Sequence, residues 1–302
     1  MSSSTNSEDE EQSDFSLAKQ RVAIVGLGLI GGSLALALRG KTTALFGVDP
    51  DPLTRALATQ LGVVDEVSDD LSKILPRASM IVLAAPVRAI LSIVNDLPRF
   101  PPSRAVVIDL GSTKADIASA LSTLPDQFEP VAGHPMCGKE VGGLANAEAG
   151  LFSGSTFVLS QLPNSTPRAC GLAQQLAESV GAYPFWLDPE IHDQWIAQTS
   201  HLPYLLSNAL AFCTSVELAE LVGPGFRSVA RLAPSPRRMM IDILITNQAN
   251  ILDKLKRYKA HLDDLEHALV IGDFAALQDL LGHGAQNYTA LTESNKTVKP
   301  GE

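Results

Sequence analysis

Cysteine is scarce in this chain. Cys137, Cys170 and Cys213 are its only three, and they lie far apart. That excludes a disulfide framework and a zinc-ligand pattern, and it points to a reducing compartment, the cytoplasm. Positive charge is also short: 23 Lys and Arg face 33 Asp and Glu, for a net charge of −10. Bases occur only as scattered pairs such as Arg237-Arg238, so nucleic acid is not an expected partner. No apolar run approaches the roughly 20 residues that span a membrane, and the N-terminus has neither a positive region nor an apolar signal core. H-x-x-x-H is missing, as is any acid cluster with ligand spacing, so no metal is expected. The first 16 residues hold five acids, many serines and no base. They carry half of the net charge and read as part of a disordered acidic tail over 1–19.

What is present begins at Arg21. Val22 to Val25 is a short β-branched run, the pattern of a buried parallel strand. Gly26, Gly28 and Gly31 then form G-x-G-x-x-G, with Leu29 and Ile30 between them, and a Leu/Ala-rich helix runs to a capping Gly40. Gly26 permits the turn, Gly28 lets the backbone approach a pyrophosphate, and Gly31 lets helix pack on strand. The phosphates would meet the donor-rich helix end. A second strand, Ala44 to Val48, ends in Asp49 at about the spacing of a ribose-binding acid. No arginine follows immediately in Pro50-Asp51-Pro52, and the nearest is Arg55. The cofactor expected is therefore NAD rather than NADP.

Strand and helix keep alternating. Met80 to Ala85, closed by Pro86, is a strand followed by a helix from Val87. Ala105 to Asp109 is another, leading into Gly111-Ser112-Thr113-Lys114 and a further helix. Phe128 to Ala132, Thr156 to Leu159 and Ala182 to Trp186 complete the set. This order implies an α/β fold, a Rossmann-type parallel sheet covered on both faces, over 20–187. Ligands bind beyond the carboxyl ends of such strands, where Asp49, Ala85-Pro86, Ser112 and His134 fall.

From Asp188-Pro189 the pattern turns helical, giving an all-helical substrate and dimerisation domain over 188–290 and a flexible tail over 291–302. Large residues recur by threes and fours at Met240, Leu244, Asn247, Ile251, Leu255, Tyr258, Leu262, Leu265 and Leu269. That spacing predicts one long helix whose stripe is a homodimer seam, with Asn247 its polar outlier.

Three places could carry chemistry. His134, held between Gly133 and Pro135, sits in a constrained loop at a strand end, suited to a general base. His192, Asp193 and His201 share one helix. On a straight helix the two histidines lie about 180° apart, and Asp193 and His201 about 80° apart. His201 is then the better partner of Asp193, with His192 satisfied at the helix start unless Pro203 distorts the geometry. Arg227 and Arg231 lie four apart on one face, and either could clamp a carboxylate in a bidentate fork. Arg231, among apolar neighbours, is favoured, with Asp193 fixing its side chain.

Taken together, GLGLIGGSLA (26–35), DLGSTK (109–114), HPMCGKEVGG (134–143), HDQWIAQTSHLP (192–203) and GPGFRSVARLA (223–233) resemble the prephenate/arogenate dehydrogenase family of tyrosine biosynthesis. The first motif is common to Rossmann proteins, and the middle three in this order are specific. The resemblance implies NAD-dependent oxidative decarboxylation of prephenate or arogenate by a cytoplasmic homodimer. It makes His134 the catalytic histidine with Ser112 beside it, and Arg231 the ligand of the ring carboxylate. Lys114 would support the substrate or cofactor side, and Glu140 would lie at the cleft mouth. Tyr204 stands where many members carry a second, substrate-facing histidine, Ala230 replaces a usual threonine, and Met240 replaces a frequent tryptophan. Two other readings compete. A β-hydroxyacid dehydrogenase of the 6-phosphogluconate type needs a lysine on the helix entering the second domain, and none occurs between Lys139 and Lys254. A non-enzymatic dinucleotide sensor would not need His134, Ser112 and Arg231 together.

Overall fold

The structure, a computed structural model, describes residues 15–139 and 141–297. Its chain divides into two compact units, 1–248 and 249–302. The division falls well beyond the 187/188 boundary expected from sequence, because the helices from 189 to 246 pack with the sheet domain.

The first unit is built on eight strands: β1 (Arg21–Val25), β2 (Ala44–Val48), β3 (Glu66–Ser68), β4 (Met80–Leu83), β5 (Ala105–Asp109), β6 (Phe128–Pro135), β7 (Thr156–Ser160) and β8 (Tyr183–Trp186). They run in the order β3-β2-β1-β4-β5-β6-β7-β8. All pairs are parallel except β6 with β7. Chain order reverses between β1 and β4, the switch point at which such sheets open a crevice. Helices α1 (Leu29–Leu38), α2 (Pro52–Leu61), α3 (Leu71–Ile74), α4 (Val87–Asp96), α5 (Ala115–Leu121) and α6 (Pro167–Ser179) fill the crossovers. Asp51, Asp70 and Thr166 cap α2, α3 and α6 through side-chain oxygens. Two apolar layers cover the sheet. One contains Val22, Ile24, Leu34 and Leu38, the other Ala23, Val25, Ile81 and Ile90. The four residues of β4 are wholly buried, as parallel strands covered on both faces must be.

Strand β6 changes partner midway. Phe128 to Val131 add parallel to β5's side of the sheet, and Ala132 to Pro135 pair antiparallel with β7. His134 is thus not in a loop, as its Gly and Pro neighbours suggest, but in the last turn of the ladder opposite Val158. The expected tail also starts late. Residues 17–19 form a 3-10 turn with Leu17 buried, its N–H donating to Gln175 Oε1 at 3.0 Å. The part of the tail before Phe15 lies outside the described residues.

Beyond β8 come α7 (Pro189–Ile196), one π-helical turn (Ala197–His201), α8 (Leu202–Phe212), α9 (Pro224–Ala230) and α10 (Arg237–Thr246). Pro203 cannot donate to the helix ladder and its ring crowds the carbonyl four residues back, and the wider π turn absorbs that conflict. The single long helix expected from 239 is two. It breaks at Asn247, whose φ of −127° leaves the helical region. Met240 and Ile243 bury within the first unit together with Tyr204, so that part of the stripe is intradomain core rather than a seam.

The second unit comprises α11 (Gln248–Ile271) and α12 (Phe274–Thr297), turned at Gly272, whose φ is +71°. Helix α12 runs to Thr297, where a flexible tail was expected from 291. Leu262 and Leu269 of the expected seam remain 46% and 59% exposed.

Candidate active site

At the switch point between β1 and β4 the glycine loop opens a cavity of about 400 Å³. Gly26 adopts φ +95°, where any side chain is strained. A Cβ at Gly31 would lie 1.8 Å from the Gly26 carbonyl oxygen, so α1 can start this close to the loop only with glycine there. At Gly28 a Cβ would meet no atom within 4 Å, and the backbone faces open space. Gly28, Leu29, Ile30, Ala85 and Pro86 line the cavity. Gly26, Gly31 and Asp49 shape the loop without lining it. Asp49 Oδ2 accepts from the Leu27 N–H at 2.8 Å and Oδ1 from the Asp51 N–H at 2.9 Å. Each oxygen keeps a lone pair for a further donor. Arg55 donates to the Asp49 and Pro50 carbonyls at 2.9 and 2.8 Å and pairs with Asp69 at 3.3 Å. This open, donor-rich cradle fits a dinucleotide.

Opposite the loop, His134 and Ser112 line the same cavity. Behind them is a buried polar network. Lys114 and Asp109 are fully buried and paired through Lys114 Nζ and Asp109 Oδ2. Together they hold both sides of Gly133: Lys114 Nζ donates to its carbonyl at 2.7 Å, and its N–H donates to Asp109 Oδ1 at 3.2 Å. Lys114 therefore does not meet substrate or cofactor, as the resemblance implied; it fixes the backbone in front of His134. Desolvation lowers its pKa, opposed by Asp109.

Asp193 docks on the start of α5. Its Oδ1 accepts from the Lys114 N–H at 2.7 Å and its Oδ2 from the Ala115 N–H at 2.9 Å. His192 Nδ1 lies 2.9 Å from the same Oδ1, and His192 Nε2 lies 2.9 Å from His134 Nδ1. The two rings meet edge-on, with centroids 5.1 Å apart. The straight-helix geometry, which favoured His201 over His192, is thus reversed. His201 sits buried at the end of the π turn, where the Asn247 amide donates to its Nδ1 at 3.2 Å and to the Asp193 carbonyl at 2.7 Å. Asn247, expected as an outlier in a seam, is a cross-brace of this network.

Other expectations separate from the site. Tyr204 is buried core and does not line the cavity, and neither does His201. Arg231 and Arg227 are both exposed and outside the cavity lining. Asp193 is committed to His192 and the α5 N–H groups rather than to Arg231. Glu140 lies outside the described residues. Lys139, not singled out from sequence, lines the cavity and pairs with Glu148 at 2.9 Å. Met239 and Ile243 of α10 close the cavity's other wall; in the sequence they read only as part of an apolar stripe.

Burial holds the His134 imidazole well below its usual 6.5, and His192, Lys114 and His201 push it the same way. The ring is neutral at neutral pH and able to accept a proton. Such a site, a dinucleotide cradle facing a neutral histidine, defines a dinucleotide-dependent dehydrogenase.

Comparison with known proteins gives the family. Residues 34–184 match the model of the prephenate dehydrogenase nucleotide-binding domain, and 188–283 that of the prephenate dehydrogenase dimerization domain. A prephenate dehydrogenase of Bacillus subtilis is 31% identical over 82% of this chain and 69% of its own length. The crystal structure of prephenate dehydrogenase from Aquifex aeolicus, in complex with hydroxyphenyl propionate and NAD+, superimposes with a TM-score of 0.84 at 28% identity. That match covers 91% of this chain and 99% of the other. A Synechocystis arogenate dehydrogenase gives 0.77 at 30% identity, covering 90% and 99%. The chain belongs to the prephenate dehydrogenase family.

Burial also depresses His201, from 6.5 to about 4, although Asp193 pulls it up; His192 lowers it further. The folded state thus holds His201 neutral where the unfolded chain takes up a proton. Its contribution is complete above about 6.5 and is lost as pH falls toward about 4. His201→Asn, whose amide oxygen can still accept from Asn247, should flatten that loss. Urea midpoints against pH for the two proteins check this, and equal slopes would count against it.

Proposed function

We propose that this chain catalyses the NAD-dependent oxidative decarboxylation of prephenate, giving 4-hydroxyphenylpyruvate, or of arogenate, giving tyrosine. The observation that carries the reading is neutral His134 lining one cavity with the glycine loop and Ser112. The substrate is a cyclohexadiene with a ring hydroxyl opposite a carboxylate. When bound, NAD supplies the acceptor for hydride from the hydroxyl-bearing carbon. Gly28, Leu29 and Ile30 would hold its pyrophosphate, and Asp49 its ribose hydroxyls. His134 accepts the hydroxyl proton, with Ser112 next to it to orient that hydroxyl. Loss of carbon dioxide aromatises the ring and drives the reaction forward. The apolar wall from α10 keeps water from the reacting carbon. An assay of nicotinamide absorbance with prephenate, arogenate and 6-phosphogluconate in parallel tests the reading. Turnover of neither cyclohexadiene would overturn it.

His134→Asn keeps a hydrogen-bond acceptor but cannot take the proton. It should lower kcat by about 10²–10⁴-fold. In the wild type the acid limb of kcat/KM should lie below 6.5, the direction set by burial and the neighbouring cations and rings. A mutant with near wild-type kcat and the same limb would place the base elsewhere.

The cofactor is NAD. A 2′-phosphate would meet the Asp49 carboxylate, and Arg55 is already engaged by two carbonyls and Asp69. Asp49→Ser should shift the NAD-to-NADP ratio of kcat/KM toward NADP by roughly tenfold or more, since it removes a like-charge contact. An unchanged ratio would remove Asp49 from cofactor choice.

The working form is a cytoplasmic homodimer. In the second unit Leu262, Leu269, Val270 and Phe274 are exposed apolar side chains, more than a solitary surface needs. Leu255→Glu with Leu262→Glu should give monomer or insoluble protein. A wild-type monomer in sedimentation at micromolar concentration would refute the dimer.

A further inference from the structure

We propose that His192 and Asp193 are positioning residues that fix the protonated nitrogen of the His134 ring as Nδ1, leaving Nε2 as the atom that accepts the substrate's proton. The inference deepens the reading of His134 as the base and rests on it.

The argument follows the donors. An ionised carboxylate only accepts. Asp193 already accepts from the N–H groups of Lys114 and Ala115. Its contact with His192 Nδ1, at 2.9 Å, therefore requires the proton to be on Nδ1. In the one-proton form of His192, Nε2 is then bare and can only accept. Its neighbour at 2.9 Å is His134 Nδ1, which must be the donor. No described residue bonds to His134 Nε2, so that nitrogen keeps its lone pair. Free histidine favours the opposite tautomer, with the proton on Nε2, and that form would donate where the reaction needs an acceptor. The network inverts the preference. Its reach is short and rigid, because His192 and Asp193 are each 1% exposed. Asp193 is oriented in turn by the first turn of α5, where its charge meets backbone donors rather than a cation.

Proton uptake changes no bond in this chain. When Nε2 takes the hydroxyl proton, the His134 Nδ1–H still donates to His192, and the new positive charge is relayed as polarisation toward Asp193. Orientation of a histidine by a partner on its other nitrogen is a general device.

The test reads the proton directly. In the protein labelled with 15N-histidine, at a pH above about 6.5, the His134 signal, assigned by its loss in His134→Asn, should show hydrogen on Nδ1 and none on Nε2. His192→Leu should move the hydrogen to Nε2 and lower kcat by about 10–100-fold, the usual cost of losing such a partner. KM for substrate and Kd for NAD should change by less than about threefold, since neither ligand touches His192. His192→Gln, whose amide oxygen can stand where Nε2 stood and accept from His134, should recover most of kcat. A wild-type His134 protonated on Nε2, or wild-type kcat in His192→Leu, would overturn the proposal. If His192→Leu does not fold, the wild-type spectrum decides alone. Should His134→Asn itself keep full kcat, the base reading fails, while the spectrum still reports on the tautomer independently.

Discussion

The site depends on one buried ion pair. Asp109 ends β5 and Lys114 precedes α5, and their charged groups meet with no access to water. Two such charges are costly to desolvate, and their attraction offsets that cost only if the remaining donors and acceptors are used. Here they are used on the site itself. Asp109 accepts from Gly111 and Gly133, and Lys114 donates to the Gly133 carbonyl. The pair thereby fixes the loop that carries Ser112 and the strand end that carries His134. Removing one partner would leave a buried charge unpaired, which is a larger loss than the net worth of the pair.

How much of this was legible depends on how local the cause is. The glycine fingerprint, the strand order and Asp49 follow from short-range rules, since a tight turn, a buried strand and a ribose acid each leave a mark in a few adjacent residues. Ser112 and His134 were legible as residues at strand ends. The roles of His192 and His201 were not, because a one-residue π turn shifts the phase that helical spacing assumes. Lys114 was misplaced for a different reason. Burial of a lysine depends on a carboxylate five residues away and a carbonyl nineteen away, and no pattern near Lys114 announces it. The seam broke at Asn247 because its amide is needed by Asp193 and His201, a tertiary demand that overrides the apolar period.

The architecture also explains why a single histidine can serve. Its strand is parallel where it joins the nucleotide-binding sheet and antiparallel where it joins β7. The change of partner places His134 beyond the parallel ladder, at the rim toward which the dinucleotide loop points. The neighbours that keep it neutral come from α5 and from the helix after β8, so its chemistry is set by elements folded on opposite sides of the sheet's end.

The π turn at 197–201 carries a consequence for how this sequence can vary. A helix with one residue more than its period is closed by deleting one residue, and that deletion leaves every side chain type intact. It would rotate all that follows by about 100° and draw it back by about 1.5 Å. His201 and the brace at Asn247 would then lose their common face with Asp193. Across this segment, length is more tightly constrained than composition, so a change in residue count separates the two histidines where most substitutions would not.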